Sequence, residues 1–328
     1  MSPASKTDWQ PTASIDALKA RARMLQNIRA FFTHRRVLEV ETPILSTSAV
    51  TDIHLNSFKT GYRKQDYYLH TSPEFFMKRL LAAGSGDIYQ ICKVFRDDEQ
   101  GKNHNPEFTM LEWYRHDIDH HQLMEEIEQL FNSLMVYPDI VVPSKVAIKT
   151  SYQQAFIAAI GVDPLNANIN ELRQSAQKHQ IEMPVGMEND RDMWLDWLMV
   201  AAVAPTFSKN QFTFVYDYPA SQAALAKLSS DDPRVAHRFE VFFGELELAN
   251  GFNELTDAVE QRKRFEDDNQ KRKQKQLSEM PIDHYLLSAL EAGMPACSGV
   301  AVGLDRLLMV LLGKNSIDEV LAFAMDRA

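Results

Sequence analysis

Residues 88–116 read Ile-Tyr-Gln-Ile-Cys-Lys-Val-Phe-Arg-Asp-Asp-Glu-Gln-Gly-Lys-Asn-His-Asn-Pro-Glu-Phe-Thr-Met-Leu-Glu-Trp-Tyr-Arg-His, and their reading decides the fold. Two runs rich in β-branched and aromatic residues, 88–96 and 108–115, flank a polar loop that holds Gly101, Lys102, His104, Pro106 and a cluster of acids. This pattern predicts an antiparallel hairpin with a loop of functional size. Side chains alternate along a strand, so Phe108, Met110, Glu112 and Tyr114 share one face while Thr109, Leu111, Trp113 and Arg115 share the other. On the first strand Ile88, Gln90, Cys92, Val94 and Arg96 form a face, which places Arg96 where the loop begins. Its planar guanidinium suits a phosphate or a carboxylate, although a buried Arg–Glu pair among packed rings would use the same residues.

A chain of 328 residues, 45% hydrophobic and 24% charged, can bury a large core as one big domain or as a domain with an insertion. No apolar run approaches the ~18 residues of a membrane span, and the start, Met-Ser-Pro-Ala-Ser-Lys-Thr-Asp-Trp, lacks a signal-peptide core, so a cytoplasmic location is expected. The two cysteines, Cys92 and Cys297, lie far apart without metal-type spacing and read as free thiols. Lys plus Arg number 35 against 45 Asp plus Glu, a net charge of −10, which is the wrong sign for a broad nucleic-acid footprint.

Residues 1–14 read as a flexible tail ending in Ser14, a helix N-cap. From there Ile15, Leu18, Ala22, Leu25, Ile28 and Phe32 recur at helical spacing, predicting an amphipathic helix over 15–36. Val37–Leu45 alternates briefly, meets Pro43 and reads as a helix-to-strand junction. A strand over 67–71 leads to Ser72-Pro73-Glu74, where Ser and Pro signal a helix start and Gly84 and Gly86 its end. The helix dipole alone accounts for an acid at Glu74. Further amphipathic helices are expected over 121–136 and within 151–205, the latter as a helical insertion, and a core strand over 212–219. The charged stretch 256–278 reads as a solvated helix.

The segment 240–255, Glu-Val-Phe-Phe-Gly-Glu-Leu-Glu-Leu-Ala-Asn-Gly-Phe-Asn-Glu-Leu, sets four acids in strand-like apolar surroundings. Buried acids need a positive partner: a cation, a metal or an ammonium group. Strict alternation puts Glu245 and Glu247 on one face and Glu240 on the other, unless Gly244 is a bulge that restores the phase. Near the end, Cys297–Leu312 is a small-residue strand running into an apolar helix. Its glycines allow close backbone approach, and Arg306 in the first turn suits an anionic phosphate.

Taken together these stretches resemble the class II aminoacyl-tRNA synthetases of the lysyl type. Helix, short strand and Pro43 match motif 1; Phe95-Arg96-Asp97-Asp98-Glu99 with His104–Tyr114 matches motif 2; Gly303-Leu304-Asp305-Arg306 matches motif 3. The resemblance implies an α+β catalytic fold, an antiparallel β-sheet flanked by helices, over 15–328, with motif 1 forming a homodimer interface. It implies that Arg96 holds the ATP α-phosphate, that Asp98 or Glu99 and the neighbouring backbone recognise adenine, and that Phe108 stacks on it. Asp97, His104, Asn105, Leu248, Asn250 and Gly303 lie with the nucleotide and Arg306 at the γ-phosphate, so Arg96 and Arg306 are the catalytic pair. Two acids seven apart, Glu240 and Glu247, would hold Mg²⁺, an ion suited to carboxylate oxygens and few protein ligands. Ser72, Pro73, Glu74, Glu112, Tyr114, Glu254 and Ala301 would line the amino-acid pocket, Glu254 meeting a side-chain ammonium. Ala301 stands where lysyl-tRNA synthetases usually carry glycine, and the extra methyl alters which substrate fits.

Motif 1 begins almost at the start of the chain, so an anticodon-binding domain is not expected. That arrangement is similar to the elongation factor P lysine ligase family, which implies ATP-dependent activation of (R)-β-lysine, or lysine, and transfer to a lysine ε-amine of elongation factor P. A tRNA partner is then not expected. The competing readings are a truncated lysyl-tRNA synthetase charging an RNA, and a binding-only relative; keeping Arg96, Glu247 and Arg306 argues against the second.

Overall fold

The computed structural model describes residues 9–97, 100–135, 146–182 and 189–328. In chain order the elements are α1 (Ile15–His34), β1 (Leu38–Glu39), β2 (Leu45–Ser46), β3 (Lys59–Tyr62), β4 (Gln65–Leu69), α2 (Glu74–Ala82), β5 (Ile88–Phe95), β6 (Glu107–His116), α3 (His120–Leu134), β7 (Ile148–Ser151), α4 (Tyr152–Ile160), α5 (Ile169–Lys178), α6 (Arg191–Leu198), β8 (Phe212–Pro219), β9 (Val235–Phe243), β10 (Leu246–Asn253), α7 (Ala258–Gln274), α8 (His284–Gly293), β11 (Cys297–Gly303) and α9 (Leu304–Leu311). An eight-stranded sheet runs β1-β5-β6-β11-β10-β9-β8-β7. Only its outermost pairs, β1 with β5 and β7 with β8, are parallel. A small sheet, β2-β4-β3, lies apart.

The hairpin forms as its alternation dictates, from Ile88 opposite Tyr114 to Phe95 opposite Glu107. One face of the large sheet is the main core. There α1, α3 and α9 cover Leu111, Trp113, Val241, Ala249, Val300 and Val302. Phe32 of α1 stacks on Tyr89 with ring centroids 4.4 Å apart and meets Trp113 edge-on at 5.3 Å. Fully buried rings of this kind contribute a few kcal/mol each, about 3–5 on truncation to alanine. The helix starts are set locally: the Ser14 hydroxyl accepts from the Ala17 amide, and Asp119 with Gln122 closes a capping box at α3. At α2 the cap falls one residue later than predicted: Pro73 is the N-cap and the Ser72 hydroxyl accepts from the Glu74 amide at 2.9 Å.

Among the described residues the opposite sheet face is packed chiefly by helices over its two ends, with the segment 223–226 against β9 and β10. Over β5 and β6, α2 and α8 with Phe265 of α7 pack on Ile88 and Tyr114. Over β8 and β9, α4–α6 pack on Val215, Tyr218 and Phe242, and these are the helices expected within 151–205. Between the two helix clusters the sheet carries Gly299, Ala301, Asn250, Arg238 and Glu240, with Phe252 packed on Ala223, Ala226 and Ala236.

Four expectations change. The acid-rich stretch is a hairpin of β9 and β10, with Gly244 in its turn at φ +57 rather than serving as a bulge within one strand. The register shift falls between Glu247 and Ala249, so the extra residue is Leu248; Glu247 stands opposite Phe242 and therefore on the face of Glu240. Within the predicted tail, residues 10–13 are anchored: Thr12 and Ala13 amides donate to Ala322 and Leu321 carbonyls, and Arg327 donates to the Gln10 carbonyl. Helix α7 is not simply solvated, since Phe265 and Arg272 are buried, Arg272 donating to the carbonyls of Ser278 and Asp52. Both cysteines are free. Among the described residues no helix is long and apolar enough to cross a membrane.

Candidate active site

Strand register builds the site. Gln90, Glu112, Ala301, Asn250, Glu240 and Val215 are successive cross-strand partners over β5, β6, β11, β10, β9 and β8, and partners opposite one another share a face. A parallel row runs Ile88, Tyr114, Gly299, Phe252, Arg238. From Glu112 to Glu240 is three strand steps, ~14 Å, which separates two polar groups on one open face.

The first group is an acid pocket. Glu112, only 2% exposed, accepts from the Ser72 hydroxyl and from the Tyr114 hydroxyl, each at 2.7 Å. Burial, then the charge of Glu74, pushes its carboxyl up to about 8 against the pull of these two donors. Lys78, 1% exposed, sets its Nζ 2.6 Å from Glu74 Oε1 and 2.6 Å from Glu254 Oε2. Burial works against the Lys78 charge, and the two carboxylates outweigh it and raise its pKa. Glu254 is pushed up to about 7, chiefly by burial, with Lys78 pulling the other way. Gly299 makes room: a Cβ there would lie 2.4 Å from Tyr114 Cε1 and 2.6 Å from Glu254 Oε1. Beside this pocket a cavity of about 40 Å³ is bounded by Ser46, Ser48, His70, Thr71, Ser72 and Glu74.

The second group gathers cations and acids around the loop between β5 and β6. Arg306, in the first turn of α9, donates to the carbonyls of Asn103 at 3.1 Å and Glu247 at 2.9 Å. Its Nη2 donates to His104 Nε2 at 2.5 Å. The Arg96 guanidinium lies 5.1 Å from the centroid of the Phe108 ring. Glu240 accepts from Arg238 on Oε1 and from the Tyr218 hydroxyl on Oε2, both at 2.6 Å. Burial lifts its carboxyl to about 7, Arg238 opposing and Glu247 assisting. The Glu247 carboxylate is more open, its side chain 44% exposed and 3.8 Å from Arg306. Such a surface offers cations to an anionic ligand at one end and carboxylates to amines at the other.

A family model for the class II tRNA synthetases (D, K and N) matches residues 7–327. The chain belongs to this family. It is also 52% identical over 330 residues to the elongation factor P–(R)-β-lysine ligase of Vibrio cholerae, covering 99% of this chain and all of that one. Proteins of the same name from Vibrio atlanticus, 52% identical over 326 residues, and Salmonella typhi, 50% identical over 326 residues, match 98% of this chain and 99% and 98% of their own lengths. The synthetase-type ligase of this kind uses ATP.

Within this class II frame the expected residues divide clearly. Ser72, Glu74, Glu112, Tyr114 and Glu254 converge with Ala301, the register partner of Glu112, and Pro73 caps the helix beneath them. His104, Glu247 and Arg306 also converge, and Gly303 is the N-cap of α9. The bulge buries the Leu248 side chain in the main core and leaves its backbone toward Gly303, whose Cβ would lie 3.8 Å from the Leu248 carbonyl. The Asn105 side-chain amide donates to the Glu107 carbonyl and accepts from the Met325 amide, tying the loop to the C-terminal turn. The Asp97 amide donates to the Asn56 carbonyl. Asp98 and Glu99 lie outside the described residues.

Sequence reasoning missed Lys78, Arg238, Tyr218 and Asp305. Lys78 stands four residues after Glu74 on α2, a spacing visible in the sequence. Asp305 is 1% exposed, accepts from the Thr109 amide at 2.6 Å and pairs with Arg21, locking α9 to β6 next to Arg306.

Proposed function

We propose that the protein activates (R)-β-lysine with ATP and transfers it to the ε-amine of a lysine on elongation factor P. The observation that carries this reading is the acid cluster: Glu74, Glu112 and Glu254 gather where acids are too buried to stand without cationic partners. A substrate bearing two ammonium groups satisfies them, while its carboxylate faces the arginines. In this reading Ser72, Glu74, Glu112, Tyr114 and Glu254 hold the amines, and Ala301 narrows the floor between them and Asn250. Arg96 and Arg306 hold the nucleotide phosphates, with Phe108 against adenine and His104, Asp97, Asn250 and Gly303 around it.

In the first step the substrate carboxylate oxygen bonds to the α-phosphorus, and the bond to pyrophosphate breaks. Arg96 and Arg306 stabilise the charge that builds on the phosphoryl oxygens, and the rest of the rate comes from placement. In the second step the acceptor amine attacks the carbonyl carbon of the adenylate, AMP leaves and the amine sheds a proton. Glu240 and Glu247 fit a magnesium ion in type and position, sharing one face with one carboxylate open to solvent. Each Glu240 oxygen keeps a lone pair beyond its bond to Arg238 or Tyr218. When bound, the ion would neutralise phosphate charge; a site of two carboxylates suits an ion held largely by phosphates and water.

Residues 15–328 form one catalytic domain with the helices of 151–205 as an insertion. Leu38, Ile44 and Leu45, exposed by 54, 41 and 45%, support a homodimer through this segment. A net charge of −10 disfavours a tRNA acceptor, and a translation factor as acceptor places the protein in the cytoplasm. Incubating the protein with ATP, (R)-β-lysine and elongation factor P tests the reading by intact-protein mass spectrometry. A gain of one lysyl residue is expected; an unmodified acceptor alongside aminoacylated RNA would refute it.

A further inference from the structure

Lys78 is a lysine buried in a pocket that, on the reading above, exists to hold a substrate's amines. Its ammonium sits 2.6 Å from one oxygen each of Glu74, one turn earlier on α2, and Glu254, beyond β10. Each acid keeps its second oxygen. On Glu254 that oxygen, Oε1, lies against Gly299, so its direction is set by a backbone that has no side chain to yield. The remaining ionisable groups facing this cluster are Glu112 and Tyr114 on β6, Cys297 on β11 and, beyond Glu112, Cys92 on β5. The elements packed on it otherwise present apolar side chains: Met77, Leu81, Phe265, Leu287 and Leu290.

We propose that Lys78 is a positioning and specificity-determining residue: it pairs with Glu74 and Glu254 at once, holds the two carboxyl groups apart, and supplies one of the three cations that three acids require. The inference rests on the amine-binding reading of this site. Three carboxylates against one resident ammonium leave two charges to be matched, which is what the two amines of a diamino acid supply. In the empty pocket one of those charges is suppressed, because Glu112 has only neutral donors, the hydroxyls of Ser72 and Tyr114, and sits near two other acids. Arrival of the second amine therefore expels the proton from Glu112. A mono-amine ligand lacks the charge to do so. Like-charge crowding and burial without a cation are the forces that hold that proton, and a cation arriving within contact distance reverses both.

Two measurements test this. In the first, wild-type protein is titrated calorimetrically at pH 7 in buffers of different ionisation enthalpy, with lysine or (R)-β-lysine and with 6-aminohexanoate as the single-amine probe. Greater proton release is expected with the diamines than with the single amine; equal release overturns the charge count. In the second, Lys78→Met keeps the length and removes the charge. Its KM for the diamino acid in pyrophosphate exchange should rise at least tenfold, with KM for ATP within about twofold. The acid limb of kcat/KM should move to higher pH, because Glu254 loses the cation that favours its ionised form. Lys78→Arg should recover much of the loss, which a packing role would not. A Met variant with wild-type KM and pH limb overturns the proposal. Should Lys78→Met fail to fold, the calorimetric comparison decides alone. A wild-type protein that activates no diamino acid removes the reading itself, and the inference falls with it.

Discussion

Replacing Glu112 by glutamine should weaken the enzyme and strengthen the fold, and the second effect should depend on pH. The side chain keeps its size, and its amide oxygen can still accept from the Tyr114 or Ser72 hydroxyl, now 2.7 Å from the two carboxylate oxygens. The carboxyl of Glu112 titrates near 8 in the folded protein against an ordinary value of 4.5. Between these values the folded protein holds a proton that the unfolded chain has lost, so wild-type stability falls as pH rises. The contribution of this group falls by roughly 2–3 kcal/mol from pH 5.5 to 7.5. Glutamine has no proton to lose, so the variant's advantage over wild type should grow by about 2–3 kcal/mol across that window. Urea unfolding at the two pH values reads this directly. Activity moves the other way: an ammonium deprived of a buried carboxylate loses about 3–5 kcal/mol, roughly two to three and a half decades in kcat/KM for the amino acid. A stability difference that ignores pH, or exchange kinetics within threefold of wild type, would refute the reasoning.

Gly299→Ala should fold with difficulty and lose amino-acid activation while binding ATP, because the new methyl meets the Tyr114 ring at 2.4 Å and Glu254 Oε1 at 2.6 Å; ATP binding and pyrophosphate exchange separate the two effects. Ala301→Gly removes a methyl from the floor of the pocket and should change the ratio of kcat/KM between (R)-β-lysine and α-lysine by roughly 10- to 200-fold, the value of one methylene-sized group in a pocket. Asp305→Ala removes the carboxylate partner of Arg21, which keeps only the Val320 carbonyl, leaves the buried Thr109 amide unpaired, and should destabilise the protein by about 3–5 kcal/mol in urea unfolding. Arg306→Ala should lower pyrophosphate exchange by roughly 10²–10³-fold, and an unchanged rate would remove it from the phosphate site.

Much of this site could be read from residue order because its logic is local. Alternation within one strand placed Glu112 and Tyr114 on a common face, and Ser14 announced α1 by its own side chain. The reading failed where the chain turned back or a distant segment intervened. Strict alternation in one strand separates Glu240 from Glu247, and a bulge at Gly244 is the device that would reunite them; the structure reunites them instead through the Gly244 turn and the Leu248 bulge. The segment at 10–13 looked like a tail because the carbonyls that anchor it belong to residues 321 and 322. Lys78 was passed over although its spacing from Glu74 was visible, since its meaning depends on Glu254, brought in from the far side of the sheet. The short, exposed strands β3 and β7 carry little hydrophobic signal of their own.

The central claim is that this pocket activates a diamino acid for a protein acceptor. Pyrophosphate exchange with (R)-β-lysine and α-lysine in parallel, followed by separate addition of elongation factor P and tRNA to the activated enzyme, tests it most directly. Faster exchange with (R)-β-lysine and a mass gain on elongation factor P is the predicted result. Faster exchange with α-lysine accompanied by charged tRNA, or no exchange with either amino acid, would contradict it.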